Sequence, residues 1–241
     1  MDSYKYSLIT MMNISKSFSS RKVLDKLNLV IYSQEILLLV GRSGCGKSTF
    51  FKILMGMYPQ DSGQIFFGKN IIQKTWNEKL KYEVGFVTQD NSFYEKLSCF
   101  ENLDFFASMY GIPKIDAEFK INELLKLVKL TQARDIIAEN LSGGMKRRLE
   151  FAISLIYGPN ILILDEPFTG LDIISKNILW AIIHDIKSRG VTIILASHQL
   201  KGIEKNIDRV AILHEKKIIK SFYIQENSKI DLENYVSLQL Q

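Results

Sequence analysis

Residues 41–49 read Gly-Arg-Ser-Gly-Cys-Gly-Lys-Ser-Thr and constrain this chain more than any other stretch. Gly41, Gly46, Lys47 and Ser48 hold the fixed places of the pattern G-x-x-x-x-G-K-S/T, with an apolar strand predicted before it at residues 36–40 and a helix after it from residue 49 to about 58. A loop of this composition between strand and helix is a phosphate cradle. Its glycines let backbone N–H groups curl around phosphate oxygens, and the helix adds about half a positive charge at its N-terminus. The candidate phosphate contacts are Gly41, Ser43, Gly44, Cys45, Gly46, Lys47, Ser48 and Thr49. Lys47 would reach the β- and γ-phosphates, and the Ser48 hydroxyl would ligate Mg²⁺. The Cys45 thiol, so close to a helix N-terminus, is expected to have a lowered pKa.

A chain of 241 residues, 46% hydrophobic and 24% charged, suits one compact domain or a core domain with an inserted lobe. Its apolar runs fall far short of the roughly 20 residues that span a bilayer. The first ten residues carry Asp2 and Lys5 and lack the long apolar core of a signal peptide, so a cytosolic protein, or one held at a membrane by a partner, is expected. Two cysteines, Cys45 and Cys99, are too few for a disulfide framework. The net charge of +5 invites a nucleic-acid reading, but the basic residues are scattered and no aromatic-studded basic stripe accompanies them. No nucleic-acid partner is expected; a solvated surface, facing an anionic leaflet, is the simpler account.

Four apolar runs without alternation read as strands buried on both faces, and each delivers polar residues at its carboxyl end. Residues 36–40 end in the cradle, 84–88 in Gln89, 161–164 in Asp165 and Glu166, and 191–196 in Ser197 and His198. In open α/β sheets that edge is where ligands bind. Asp165 would hold Mg²⁺, directly or through water, and Glu166 could accept a proton from an attacking water. Alone, Asp-Glu-Pro at a strand end is equally a plain turn. A lone histidine such as His198 is more often structural than catalytic. Residues 4–12, 27–32 and 63–68 read as strands of a small antiparallel sheet beside the site. Phe18, flanked by small polar residues, reads as a loop aromatic, either stacking on adenine or plugging a local core.

Between Gln89 and Ser142 the pattern turns helical, with Ile121, Leu124, Leu125 and Val128 at i, i+3, i+4, i+7 and Asp116 as a candidate N-cap. This is read as an inserted helical subdomain over residues 90–157 of a single domain spanning 1–241, with a tail at 224–241 that carries no recognisable chemistry. The lobe ends in Leu-Ser-Gly-Gly-Met-Lys-Arg-Arg at residues 141–148, where Ser142 is a natural N-cap and Gly143 and Gly144 permit close backbone approach. Lys146, Arg147 and Arg148 put three cations in the first turns of that helix, against its dipole. An anion would relieve that conflict; a solvated basic face is the alternative.

Residues 41–49, Gln89, residues 141–145, residues 161–167, Gly170-Leu-Asp172 and Ser197-His198 have the order and spacing of the nucleotide-binding subunits of ABC transporters. The chain resembles that family from about residue 8 to 222, and the Leu-Ser-Gly-Gly-Met pentapeptide is more discriminating than the cradle. The resemblance implies an α/β fold of the P-loop NTPase, ABC ATPase type: a mainly parallel core sheet, an antiparallel β subdomain and an inserted helical subdomain. It implies ATP and Mg²⁺ as ligands and two copies sandwiching two ATP molecules, so that the cradle of one faces Ser142, Gly143 and Gly144 of the other. The second subunit is expected to be another copy, with a heterodimer as the alternative.

By the same resemblance Gln89 senses Mg²⁺ and the attacking water, His198 holds the γ-phosphate, Asp172 couples the two sites, and Phe18 is the adenine platform. Glu166 and Lys47 complete the expected catalytic set. Residues 89–94, 97–98, 101–103, 105–107 and 110–112 resemble the exporter branch that moves drugs, antibiotics, polysaccharides or lipids. The implied function is ATP hydrolysis driving export through a separate membrane permease, at the cytoplasmic face of the membrane. A soluble ABC-type ATPase of DNA repair, translation or cofactor assembly, and a regulatory module without turnover, are the other classes. Three positions depart from the family pattern: Gln34 where Gly is usual, Ile173 where Pro is usual, and a hairpin turn at residues 214–217 without Gly.

Overall fold

The computed structural model of the chain describes residues 6–68, 70–72, 82–88, 92–198, 200–224 and 231–240. A four-stranded antiparallel sheet is built from β1 (Ser7–Phe18), β2 (Arg21–Tyr32), β4 (Ser62–Phe67) and β5 (Asn70–Ile72), in the order β2-β1-β4-β5. A six-stranded sheet runs β10-β9-β3-β8-β7-β6. It comprises β3 (Ile36–Val40), β6 (Val84–Val87), β7 (Ile161–Asp165), β8 (Thr192–Ala196), β9 (Arg209–His214) and β10 (Lys217–Tyr223). Only β10 runs antiparallel to its neighbour in that sheet.

The larger sheet is covered on both faces, which explains its unalternated strands. Leu37 and Leu39 of β3 and Ile161 and Ile163 of β7 join one apolar cluster with β1, β2 and the helix α1 (Lys47–Leu54). Ile36, Leu38 and Val40, with Leu162 and Leu164, join a second cluster with the remaining helices. All five β3 residues are buried. Full burial of each such side chain contributes about 1.5–3 kcal/mol, so β3 is fixed from two directions.

Among the described residues three α-helices lie between β6 and β7: α2 (Cys99–Met109), α3 (Lys114–Leu127) and α4 (Gly143–Leu155). Ser98 caps α2 in a capping box with Glu101. Asp116 does not cap α3, contrary to the pattern-based expectation. The helix starts earlier, with Pro113 as its N-cap and the Pro113 carbonyl accepting from the N–H groups of Asp116 and Ala117. Proline before the first turn sacrifices no helical N–H, which lets the helix begin three residues sooner. After β7 comes α5 (Ile173–Ser188).

Phe18 is likewise not a loop residue. It ends β1 and pairs with Arg21 across a turn of Ser19 and Ser20, because the first two strands run longer than their alternation indicates. The positions where the family pattern expects glycine do take left-handed backbone without it: Gln34 has φ 55°, and Glu215 and Lys216 at the β9–β10 turn have φ 43° and 72°. Two successive positive φ values match the twist of a two-residue hairpin. The tail is also more ordered in purpose than its composition suggests. Residues Leu232–Gln239 form α6, whose Leu232 and Val236 are buried in the second cluster, and Arg42 of the cradle loop donates to the Leu240 carbonyl at its end.

One buried ion pair ties the two sheets. Arg209 of β9 donates from Nε to Glu35 Oε2 at 3.0 Å and from Nη2 to Glu35 Oε1 at 2.6 Å, and it also reaches the Val30 carbonyl and Ser221. Glu35 accepts the Tyr32 N–H as well, and both charged groups are buried. Removing one partner of such a pair strands the other charge, so Glu35→Gln is expected to destabilise the chain by about 3 kcal/mol. Urea unfolding checks this: the midpoint should fall with an unchanged slope, whereas a midpoint equal to wild type would show the pair to be dispensable.

Candidate active site

Strand β3 ends at Val40, and the chain turns back at once because Gly41 has no room for a side chain: a Cβ there would run into the Leu213 carbonyl of β9. Gly44 and Gly46 adopt φ 74° and 117°, and Gly46 is the N-cap of α1 without any side-chain cap. The first N–H groups of α1 are therefore left for a ligand. Lys47 curls over its own loop, its Nζ donating to the carbonyls of Gly41 at 2.7 Å and Arg42 at 3.3 Å.

A cavity of about 630 Å³ opens above this loop, lined by Ser43, Gly44, Gly46, Lys47, Ser48 and Thr49 from the loop and α1. Asp165 and Glu166 line it from the end of β7, and His198 from the segment after β8. Phe18, Arg21 and Val23 of the β1–β2 hairpin complete the wall. Phe18 is 41% exposed and set edge-on to Tyr58 at 5.4 Å between ring centroids. Arg21 and Val23 were not legible beforehand, since residues 21–26 do not alternate and their strand was invisible.

The β7 end carries most of the tension. Burial, and then the neighbouring Glu166, push the Asp165 carboxyl up, against the opposing pull of Lys47 and Arg147. Glu166 has φ 51°, a left-handed conformation that costs a non-glycine residue about 1–2 kcal/mol. Its N–H donates to the Ala196 carbonyl at 3.0 Å, and its Oε2 lies 2.8 Å from His198 Nδ1 while also accepting the His198 N–H at 3.3 Å. The general-base candidate and the histidine thus touch, although β7 and β8 meet only in space.

Cys45 departs from its expected chemistry. Burial pushes its thiol up, ahead of the lowering by Lys47, because the side chain packs against the first apolar cluster behind the loop. Helix N-terminal activation needs a thiol facing solvent or ligand, and this one is half-buried against apolar side chains.

Not every predicted site residue reaches the cavity. Gln89 lies outside the described residues. Ser142, Gly143, Gly144 and Asp172 do not line the cavity. Ser142 caps α4 by accepting the Met145 N–H at 3.3 Å, and Gly143 faces open space. A Cβ on Gly144 would press on Ser175 Oγ at 2.5 Å. Ser175 in turn donates its N–H and hydroxyl to Asp172, the N-cap of α5, and this holds the Asp172 carboxyl below its ordinary value. The glycine-rich turn and Asp172 therefore share a surface of their own.

The Lys-Arg-Arg run is not a wholly solvated basic face. Arg147 is buried and binds main-chain carbonyls beneath the site, while Arg148 donates to the carbonyls of Gly144, Val128 and Lys129. Their signal lay in the helix period: Arg147, Glu150, Phe151, Ser154 and Leu155 form one buried stripe.

Comparison with known proteins agrees with this geometry. A family model described as ABC transporter matches residues 24–169. The linearmycin resistance ATP-binding protein of Bacillus subtilis (strain 168) is 33% identical, over 86% of this chain and 66% of that protein, so the chain spans just under two thirds of that relative. The bacitracin transport ATP-binding protein of Bacillus licheniformis is 34% identical over 97% of this chain and 75% of that protein. Among solved structures, cbiO1 from Clostridium perfringens, part of the ABC transporter complex cbiONQ, matches with a TM-score of 0.85 at 26% identity, covering 97% of this chain and 96% of that one.

The raised Asp165 carboxyl has a consequence for stability. A carboxyl that binds its proton more readily in the folded than in the unfolded chain costs stability once it ionises, and costs nothing at a pH below both values. Asp165→Asn is therefore expected to raise the melting temperature at pH 7 without added nucleotide or metal, and the gain should shrink as the pH is lowered through the carboxylate range. Thermal scans at pH 7 and in acid check this; a lowered melting temperature at pH 7 would contradict it.

Proposed function

This chain belongs to the ABC transporter family, and we propose that it is the ATP-hydrolysing subunit of an exporter, working through a separate membrane permease. The observation that carries the reading is the convergence of Lys47, Ser48, Asp165, Glu166 and His198 on one cavity beside an uncapped helix N-terminus. Antibiotic transport and resistance in the names of relatives favour the export direction. Among the described residues no helix is long and apolar enough to cross a membrane, which fits a peripheral subunit at the cytoplasmic face.

The residues suit a magnesium nucleotide. The open space at Gly44 would admit phosphate oxygens, and Phe18 at the cavity rim would stack on adenine. Ser48 and Asp165 offer the hard oxygen donors that Mg²⁺ prefers, and Gln89 would join them. Among the described residues no group of three or more His, Cys, Asp or Glu could hold a metal, in keeping with an ion bound by few side chains and by substrate phosphates. When bound, Mg²⁺ neutralises charge on the phosphates.

Hydrolysis places the remaining groups in order. Glu166 accepts a proton from the water that attacks the γ-phosphorus, and the bond to the ADP oxygen breaks. Lys47 and the N–H groups of the loop stabilise the charge that develops. His198 steadies Glu166 through its Nδ1 contact and holds the γ-phosphate.

Ser142, Gly143 and Gly144 act on the ATP of a second copy. Gly143 has nothing within 4 Å of where a side chain would stand, and a bare glycine at a helix N-terminus presents its N–H groups to an incoming anion. One chain carrying both halves can build two sites as a homodimer. The lobe built from α2, α3 and α4 reads as a subdomain serving the permease contact.

Glu166→Gln is expected to abolish steady phosphate release while retaining ATP and shifting the chain to a dimer in size-exclusion chromatography. Turnover at the wild-type rate would remove the base assignment. Recovery of the chain from detergent-solubilised membranes should bring a multi-span protein with it; a soluble partner alone would point to a non-transport ATPase.

A further inference from the structure

We infer that Arg147 is a positioning residue for hydrolysis, holding the turn that presents Glu166 and transmitting to it the placement of α4, whose Ser142 end serves the opposite site. The inference rests on the reading of Glu166 as base and of Ser142 as a contact to the second copy's ATP.

The guanidinium uses all three of its nitrogens. Nε donates to the Pro167 carbonyl at 3.1 Å, and Nη2 to the carbonyls of Asp165 at 3.3 Å and Glu166 at 3.2 Å. Nη1 donates to the Thr88 carbonyl, one residue before Gln89, and to Glu150 Oε2 at 2.7 Å. Three consecutive carbonyls of the β7 exit and one at the β6 exit thus converge on a single side chain of α4. A planar fork with five fixed donors can span such a set; an ammonium cannot.

The place it grips is the strained one. Glu166 has φ 51°; its N–H bonds to Ala196, and its carbonyl accepts from Arg147 Nη2 at 3.2 Å and from the Thr169 N–H at 3.3 Å, so Arg147 is the side-chain anchor of that main chain. A backbone held in a rare conformation stays there only when its surroundings over-determine it. Glu150, on the same buried stripe of α4, supplies the counter-charge that lets a guanidinium sit in the interior. Because Ser142 caps α4 and Arg147 stands five residues further along, about a turn and a half, a shift of the helix when Ser142 meets a phosphate is carried directly to the carbonyls around Glu166.

The test is steady-state hydrolysis of MgATP by the full chain carrying Arg147→Lys, Arg147→Met, or Arg147→Met with Glu150→Gln. The last variant leaves no stranded charge and keeps the test valid if the single change fails to fold. All are expected to lose about 30-fold or more in kcat, as displaced catalytic groups do, with KM for ATP within about threefold of wild type. A melting temperature of the double variant close to wild type, with kcat still low, separates positioning from mere stability. Wild-type kcat in the lysine or the double variant would reduce Arg147 to a counter-charge and overturn the proposal. Glu166→Gln assayed alongside distinguishes the failures: lost turnover there with normal kcat in the arginine variants removes the positioning role alone, whereas retained turnover there removes the base reading beneath it.

The transmission is read by a double-mutant cycle. Ser142→Ala should cost at least about threefold less turnover in the Arg147→Met chain than in wild type. Strict additivity would overturn the link between the two ends of α4.

Discussion

A strand covered on both faces has no polar side to offer solvent, so its chemistry is confined to its ends. Strand β3 is in that position, with Leu37 and Leu39 turned into one apolar cluster and Ile36, Leu38 and Val40 into the other. Its neighbours β8 and β9 hold it in parallel register from residues far along the chain. The cradle, the Asp165–Glu166 pair and His198 are consequences of that arrangement. Each leaves the sheet at the same edge because parallel strands must.

Where one physical rule decides an element, the residues declared it in advance. Buried strands had to be unalternated apolar runs, and the cradle had to be glycine before a lysine and a helix. Where two rules compete, the chain alone was ambiguous. The hairpin strands around Phe18 carry bulges that break their alternation, so their length and the cavity-lining Arg21 were hidden. A run of Lys-Arg-Arg looks solvent-facing by charge, yet Arg147 follows the helical period into the core because Glu150 and four carbonyls receive it. Cys45 obeyed burial rather than the helix dipole.

The site is also a place where local comfort is given up. Glu166 has left-handed backbone and Asp165 is a carboxyl made reluctant to ionise by burial and by its neighbour. Both features oppose stability of the bare fold. The left-handed Gln34, Glu215 and Lys216 are different in kind. They sit at turns where glycine would serve, away from the cavity lining, and reflect geometry imposed by the neighbouring strands.

The contact between Arg42 and the Leu240 carbonyl joins the glycine-rich loop to the last helix of the described chain. Residue 240 therefore emerges beside the cradle rather than at a remote corner. Anything joined after it, whether natural sequence, an affinity handle or a fluorescent reporter, begins within reach of the loop at residues 41–49.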